Sequence, residues 1–240
     1  MNSVFREEWQ NAAVKNRSIA AFTLIELLVV IAIIGILAGL LIPLAGVATT
    51  KMRISRVKAE LNSYVNAIET YKLETGEYPP DHGELRNVSA SNNWSLYLSN
   101  SALNPLFYEL TGAIFTNKGG PARYVNMHDG EVVNAGDLTS VFKVNGLRNS
   151  ARLKNDLDYK GFTVKEAQTA KLDPSFGATG VEVLTVPVPG PYTLKGDQNK
   201  KINPWFYDAS STNRHNKSGF DLWAEIEIGG KTMVIGNWKN

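Results

Sequence analysis

A single uncharged run near the N-terminus constrains this chain more than any other feature. From Leu27 to Ala48 there are 22 residues without a charge, most of them Ile, Leu, Val, Ala or Gly. At about 1.5 Å per residue, a helix of this length reaches roughly 33 Å, enough to cross the hydrocarbon core of a bilayer. Apolar runs this long are typical of membrane helices, and a helix buried in a soluble core is the alternative. The sequence therefore predicts a membrane-spanning helix over residues 22–48.

Glu26 lies at the edge of this run, where an ionised carboxylate costs a few kcal/mol unless it finds a partner. The residues from Phe22 to Leu27 read Phe-Thr-Leu-Ile-Glu-Leu, and Pro43 interrupts the apolar run that follows. This combination resembles the type IV prepilin signal shared by type IV pilins and type II secretion pseudopilins. The resemblance implies that a prepilin peptidase cleaves between Ala21 and Phe22 and methylates the new amine of Phe22. The family usually has Gly where this chain has Ala21.

Two other interpretations of residues 1–48 are open. A general secretory signal peptide would use the small residues Gly46 and Ala48 as its cleavage site, but its apolar core is shorter, at about 7–15 residues. A plain membrane anchor leaves Glu26 unexplained. Because the chain has no Cys, lipid attachment through a cysteine is excluded.

Two small residues and a proline lie within the predicted membrane helix. Gly35 and Gly39 form a G-x-x-x-G pair on one helix face, which permits close approach of a second helix. Pro43 removes a backbone hydrogen bond, so we expect a kink or a loosened turn near Gly39–Pro43.

A second, amphipathic half of the helix follows over residues 49–76. Its apolar residues recur every three or four positions, which predicts a buried stripe on one face. The stripe comprises Ile54, Val57, Leu61, Tyr64, Val65, Ile68 and Tyr71. Gly76 and the pair Pro79-Pro80 predict that the helix ends near Thr75. A coiled-coil dimer is the alternative partner for the stripe.

The rest of the chain, residues 77–240, is predicted to form a head domain. The segment from Tyr71 to Pro80 and the Asn-Pro, aromatic-Asp-Leu and Gly-Asn-Trp runs at the C-terminus resemble the major pseudopilin of type II secretion. The resemblance covers residues 18–85 and 200–238, so residues 86–200 are interpreted as a long insertion. Within it, Val181–Val186 is predicted to be a strand.

The C-terminus carries the strongest strand pattern. Apolar and polar residues alternate from Phe220 to Ile228, which predicts a half-buried strand with a charged, solvated outer face. Gly229-Gly230 is a two-residue hairpin turn, and Lys231–Gly236 is predicted to return as the partner strand.

Neither the motifs nor the charge balance indicates an enzyme or a nucleic-acid binder. His82, His128 and His215 are widely separated, and the sequence contains no phosphate-binding or nucleophile motif. Without residues 1–21 the chain has 22 basic and 21 acidic residues, a net charge of about +1. We expect no cofactor. Calcium is the alternative, because the resemblance places Asp221 at a calcium-binding position, and Glu225 and Glu227 share a strand face with it.

These observations predict a pilin-like α+β protein whose long N-terminal helix packs on a C-terminal antiparallel sheet. The resemblance implies a structural subunit of a type II secretion pseudopilus in the bacterial inner membrane, with its head in the periplasm. Its partners would be the prepilin peptidase, copies of itself, other pseudopilins and the inner-membrane secretion platform. A type IV pilus or competence pilus subunit is the alternative. Because the chain has no Cys and therefore no disulfide, the pseudopilus subunit is favoured over it. A membrane-anchored periplasmic enzyme or glycan-binding module is a further alternative that rests on residues 86–200.

Overall fold

We describe the protein from a computed structural model that covers residues 22–88, 93–150 and 161–238, with backbone only for residues 41–45. The chain divides into two compact units, the first ending at Ala48 and the second beginning at Thr49. The cleavage-site residue Ala21 and the leader before it lie outside the described residues.

One helix, α1, runs from Leu24 to Thr75. It ends where the sequence predicts, because Gly76 adopts a φ of +85° and its N–H donates to the carbonyl of Lys72 at 2.8 Å. Residues with a Cβ rarely adopt this left-handed conformation, so Gly is the favoured residue at this position. The helical backbone continues through Gly39 and Pro43, and a bend there stays a prediction. Among the described residues, the structure contains no helix that is long and apolar enough to cross a membrane.

The predicted stripe on the second half of α1 is confirmed as part of the core of the second unit. Val57, Tyr64 and Ile68 are completely buried, and Leu61 and Tyr71 nearly so. The ring of Tyr64 lies 5.6 Å from that of Phe162 and 5.5 Å from that of Trp205, centroid to centroid. The stripe is therefore covered by the chain's own head, which favours this packing over a coiled coil.

The insertion combines short helices with a small antiparallel sheet. Its elements are α2 (Trp94–Ala102), α3 (Leu106–Thr111), β1 (Ala113–Thr116), β2 (Arg123–Asn126), β3 (Val132–Asn134) and α4 (Ala135–Phe142). The strands form a sheet in the order β1-β2-β3. Helix α3 ends at Gly112, which has a φ of +91°.

Two short antiparallel pairs follow. They consist of β4 (Thr169–Lys171) with β5 (Glu182–Leu184), and of β6 (Leu194–Lys195) with β7 (Lys201–Ile202). Strand β5 falls inside the predicted segment Val181–Val186 and is buried along its whole length. It carries one carboxylate, Glu182, directly opposite Lys171 of β4.

The C-terminal sheet has the order β10-β9-β8 and contains the predicted hairpin. Strand β8 (Phe206–Asp208) pairs with β9 (Asp221–Ile228), which pairs with β10 (Lys231–Gly236). Ile228 faces Lys231 across the turn, and Gly229 and Gly230 have φ values of +59° and +72°. Two positive φ values in a two-residue loop are typical of the turn that matches strand twist, so the predicted hairpin with Gly229-Gly230 in its turn is confirmed.

The prediction of a solvated outer face on β9 is wrong. Its inner residues Leu222, Ala224 and Ile226 are buried as expected, but Trp223 is only 4% exposed and Glu225 only 8%. Aromatic side chains cover the outer face, since Tyr97 of α2 stacks on Trp223 at 6.0 Å and Trp238 meets it edge-on at 5.9 Å. The alternation of apolar and polar residues along β9 shows which residues share a face. It does not show whether segments far away in sequence cover that face.

Candidate functional site

The N-terminal unit presents a continuous apolar surface to solvent. From Phe22 to Leu40 every residue is exposed, including Phe22 at 84% and Leu24 at 82%. Soluble monomers rarely expose contiguous apolar patches of this extent, and such patches mark protein or membrane interaction sites. The apolar helix is therefore the candidate functional site of this unit.

Glu26 has a local partner at the start of α1. Its Oε2 accepts hydrogen bonds from the backbone N–H of Thr23 at 2.8 Å and from the Thr23 hydroxyl at 2.7 Å. In return, the Glu26 N–H donates to Thr23 Oγ1 at 3.3 Å. This reciprocal arrangement is a capping box, which satisfies N–H groups that a helix start leaves without partners. Thr23 and Glu26 have the Thr-x-x-Glu spacing of a capping box in the sequence, but the sequence analysis did not predict this cap.

The other predicted site residues described in this part of the chain are Phe22, Gly35 and Gly39. Phe22 precedes the capping box and is exposed, next to the position of the predicted cleavage. Among the described residues, a Cβ built on Gly35 or Gly39 would meet nothing within 4 Å, so neither glycine is packed against another described part of the chain. Both remain available for the helix contact that their spacing predicts.

In the head, one completely buried carboxylate has a structural role. Glu109 of α3 is fully buried and accepts from the Tyr71 hydroxyl at 2.8 Å and from the backbone N–H groups of Arg148 and Asn149 at 2.7 and 2.9 Å. Burial raises the pKa of Glu109, and the Asn149, Tyr71 and Arg148 hydrogen bonds lower it by smaller amounts. The carboxyl therefore joins α1, α3 and the segment at Arg148.

Two further carboxylates fasten the loop after β8. Asp81 accepts from the N–H groups of Ala209 and Ser210 at 2.8 and 2.7 Å, and burial raises its pKa. Asp208 accepts from the Tyr97 hydroxyl at 2.6 Å and also from the Ser211 hydroxyl. These oxygens are occupied by hydrogen-bond donors of the fold, as expected for buried polar groups.

The structure does not assemble the three histidines into one site. His82 is buried, the ring of His128 meets Phe107 edge-on, and His215 bonds to Asp221. Asp221 accepts from the His215 N–H at 2.6 Å, from His215 Nδ1 at 3.0 Å and from the Asn216 N–H at 2.9 Å. Within residues 22–88, 93–150 and 161–238, no three His, Cys, Asp or Glu side chains are grouped so as to hold a metal ion.

Comparison with known proteins supports the sequence interpretation of the N-terminus. Residues 16–42 match the family described as "Prokaryotic N-terminal methylation motif". The chain is 34% identical over 65 residues to "Type II secretion system core protein G" of Pseudomonas aeruginosa. It is 42% identical over 69 residues to "Type IV wide pilus major component PilA4" of Thermus thermophilus and 53% identical over 55 residues to "Fimbrial protein EcpB" of Eikenella corrodens.

These matches are confined to part of each protein. They cover 27%, 29% and 23% of this chain and 46%, 53% and 35% of the respective relatives. No solved structure gives a significant match. The chain thus carries the N-terminal methylation motif of prepilin-like proteins. Its relatives are named as components of a secretion system, a pilus and a fimbria, and not as enzymes.

Proposed function

We propose that this protein is a structural subunit of a type II secretion pseudopilus. A prepilin peptidase would cleave between Ala21 and Phe22 and methylate Phe22, and the apolar helix would anchor the subunit in the bacterial inner membrane with its head in the periplasm. Subunits would then polymerise through residues 22–48 with copies of themselves and other pseudopilins, on the inner-membrane secretion platform. The observation that carries this proposal is the methylation motif at residues 16–42, whose part from Leu24 to Leu40 lies on an exposed apolar helix.

The two halves of α1 differ in how their apolar residues are covered, and this difference supports the proposal. The second half buries its apolar stripe inside the head, whereas the apolar residues from Leu24 to Leu40 in the first half are exposed. Burying apolar surface is worth about 25 cal/mol per Å², so an uncovered helix of this kind is strongly driven toward lipid or other subunits. A filament provides both environments in turn, the membrane before assembly and neighbouring helices after it.

A type IV pilus subunit is the second candidate, because two of the relatives are named as a pilus component and a fimbrial protein. The absence of Cys favours the pseudopilus, since the C-terminal disulfide of many type IV pilins has no counterpart here. Calcium is no part of the proposal, because the Asp221 oxygens already accept from His215 and Asn216.

Deleting the gene in the source organism separates these candidates. The pseudopilus assignment predicts that secreted enzymes accumulate in the periplasm while sheared surface pili are unchanged, and that the wild-type gene restores secretion. Loss of surface pili with normal secretion would support the pilus subunit instead. A deletion that changes neither secretion nor pili would contradict both.

A further inference from the structure

Strand β10 lies at the border of the C-terminal sheet. The sheet has the order β10-β9-β8, so β9 pairs with one side of β10, and no other described strand pairs with the opposite side. Such an edge presents a row of backbone N–H and C=O groups that another strand can bond, and proteins usually protect it with Pro, a bulge or charged side chains. Strand β10 contains no Pro, pairs with β9 without a bulge and has one charged residue, Lys231 at its first position. The rest of this edge is therefore open to pairing.

The pairing with β9 fixes which backbone groups of β10 point outward. One step beyond the last pair of the two strands, the Asn237 N–H donates to the Leu222 carbonyl at 3.1 Å. Hydrogen-bonded and non-hydrogen-bonded residues alternate along an antiparallel pair, so the odd-numbered residues of β10 bond to β9. The N–H and C=O groups of Thr232, Val234 and Gly236 point away from β9, and no described residue bonds to them.

The open edge also carries apolar side chains on both faces of the sheet. Val234 is 43% exposed and Met233 is 41% exposed, and successive residues of a strand point to opposite faces. A strand that pairs with β10 would cover apolar surface on both faces while it bonds the outward backbone groups. Main-chain hydrogen bonds of this kind recognise an extended backbone, so the partner that fits this edge is another strand.

We infer that β10 pairs with β10 of a second copy of this chain, antiparallel and two-fold symmetric, with Val234 opposite Val234. In this register Thr232 lies opposite Gly236 of the other copy at both ends of the pairing. It is the only antiparallel register of β10 with itself that engages all three outward residues. Each of these pairs exchanges two backbone hydrogen bonds, one in each direction.

The side chains of β10 are compatible with pairing to a second copy. On one face Val234 meets its own counterpart. On the other face Met233 lies beside Ile235, and Lys231 lies beside Asn237. Apolar and β-branched residues that lie opposite each other stabilise a strand pair, and like charges in that position destabilise it. The one charged residue of the strand meets no like charge in this register.

This contact is separate from polymerisation through residues 22–48. A two-fold interface uses the same patch on both copies and closes on a pair, so it cannot extend a filament. The inference therefore rests on the geometry of β10 and not on the proposed function. One strand edge is a small interface, and small interfaces are typical of weak, transient contacts, so covalent trapping is the suitable measurement.

Disulfide crosslinking tests the pairing, because the chain has no Cys and each variant then carries a single thiol. In a hydrogen-bonded antiparallel pair the Cα atoms lie about 5.5 Å apart, within the roughly 4.4–6.8 Å that a disulfide spans. Val234→Cys should therefore form a covalent dimer when the full-length protein in non-ionic detergent is oxidised with copper phenanthroline.

The neighbouring positions are matched controls for this variant. In the proposed register the two Met233 Cα atoms lie about 8 Å apart and the two Thr232 Cα atoms about 15 Å apart, both too far for a disulfide. Met233 and Val234 are almost equally exposed, so exposure alone does not separate them. We expect Val234→Cys to crosslink at least about tenfold faster than Met233→Cys or Thr232→Cys.

A backbone change tests whether the outward groups hold the pair. Thr232→Pro in the Val234→Cys protein removes an outward N–H that β9 does not use, which an edge strand tolerates. It should slow crosslinking about tenfold, because a hydrogen bond is lost at each end of the pairing. Thr232→Val keeps the N–H and should leave the crosslinking rate unchanged. Circular dichroism checks that each variant is folded.

Three results would overturn the proposal. One is equal crosslinking at positions 232, 233 and 234, or none at 234 in the folded protein. Another is faster crosslinking of Met233→Cys than of Val234→Cys, which would place a different residue on the two-fold axis. The third is a Val234→Cys adduct with a different protein in cells and no dimer of this chain, which would assign the edge to a strand of that protein.

Discussion

At the scale of single residues, the structure changes how Glu26 is understood. The carboxylate was expected to need a partner because it lies at the edge of an apolar run, and Thr23 supplies that partner within the same helix. We also predict an assembly role for Glu26, in which its carboxylate sets subunit register by pairing with the N-terminal amine of Phe22 in a neighbouring subunit. The capping role and this assembly role make different demands. Capping needs only an acceptor at this position, whereas attraction to the methylated amine of a neighbouring Phe22 needs a negative charge.

Three substitutions separate these roles. Glu26→Gln keeps an acceptor and removes the charge, Thr23→Val removes the hydroxyl part of the cap and keeps the charge, and Glu26→Ala removes both the carboxylate acceptor and the charge. We expect all three to be inserted and cleaved after Ala21, and only Thr23→Val to enter filaments at near wild-type yield, measured by crosslinking between subunits. Normal filament yield from Glu26→Gln would show that Glu26 acts as a cap alone.

A second residue-scale prediction concerns Glu182 in the buried strand β5. Burial, followed by the nearby carboxylates of Asp129 and Glu131, raises its pKa to about 7, above the usual 4.5. A carboxyl whose pKa is raised by folding stabilises the protein below about pH 4.5 and loses that contribution as the pH rises through about 7. The contribution of Glu182 to the free energy of unfolding of the wild-type protein should therefore be smaller at pH 8 than at pH 5.

Glu182→Gln mimics the protonated form and should remove this loss. We expect the variant to match wild type near pH 5 and to be more stable at pH 8 by about 1–2 kcal/mol, reduced from the full linkage value by partial solvent screening. Denaturant unfolding of both proteins at pH 5 and pH 8 measures this difference in stability. Glu166→Gln, at an exposed position, is the control and should show no difference between them. An equal effect of Glu182→Gln at both pH values would contradict the assignment.

At the scale of elements, the sequence predicted what depends on local pattern. The end of α1 at Thr75, the strand within Val181–Val186 and the Gly229-Gly230 hairpin follow from helix periodicity, β-branched composition and turn chemistry. The burial of Trp223 and Glu225 does not follow from any local pattern. Their cover comes from α2 and Trp238, and a strand's own alternation carries no information about such distant partners.

The amphipathic half of α1 gives a direct test at this scale. Ile68 is completely buried and Leu73, five residues later in the same helix, is 86% exposed. Ile68→Ala should destabilise the head by about 2–5 kcal/mol, because it removes transfer energy and leaves a cavity. Leu73→Ala should change stability by less than about 0.5 kcal/mol. Equal costs in denaturant unfolding would show that the stripe does not face the core.

At the scale of the whole molecule, function divides along the chain. The exposed apolar helix carries the methylation motif and the proposed filament contact, and the head carries the open edge of β10 and the proposed pairing of copies. The first was accessible from sequence because the motif is contiguous. The edge was not, since the sequence predicts the hairpin of β9 and β10 but not that β8 lies beside β9, which leaves β10 at the border of the sheet.

The mature N-terminus tests the central claim most directly. The protein is produced with a prepilin peptidase, recovered from membranes and analysed by mass spectrometry of the intact chain and of its N-terminal peptide. The filament-subunit account predicts a chain that begins at Phe22 and carries one added methyl group on its amine, together with an unprocessed chain when the peptidase is left out. A chain that still begins at Met1 in the presence of the peptidase, or one that begins at Thr49, would contradict it.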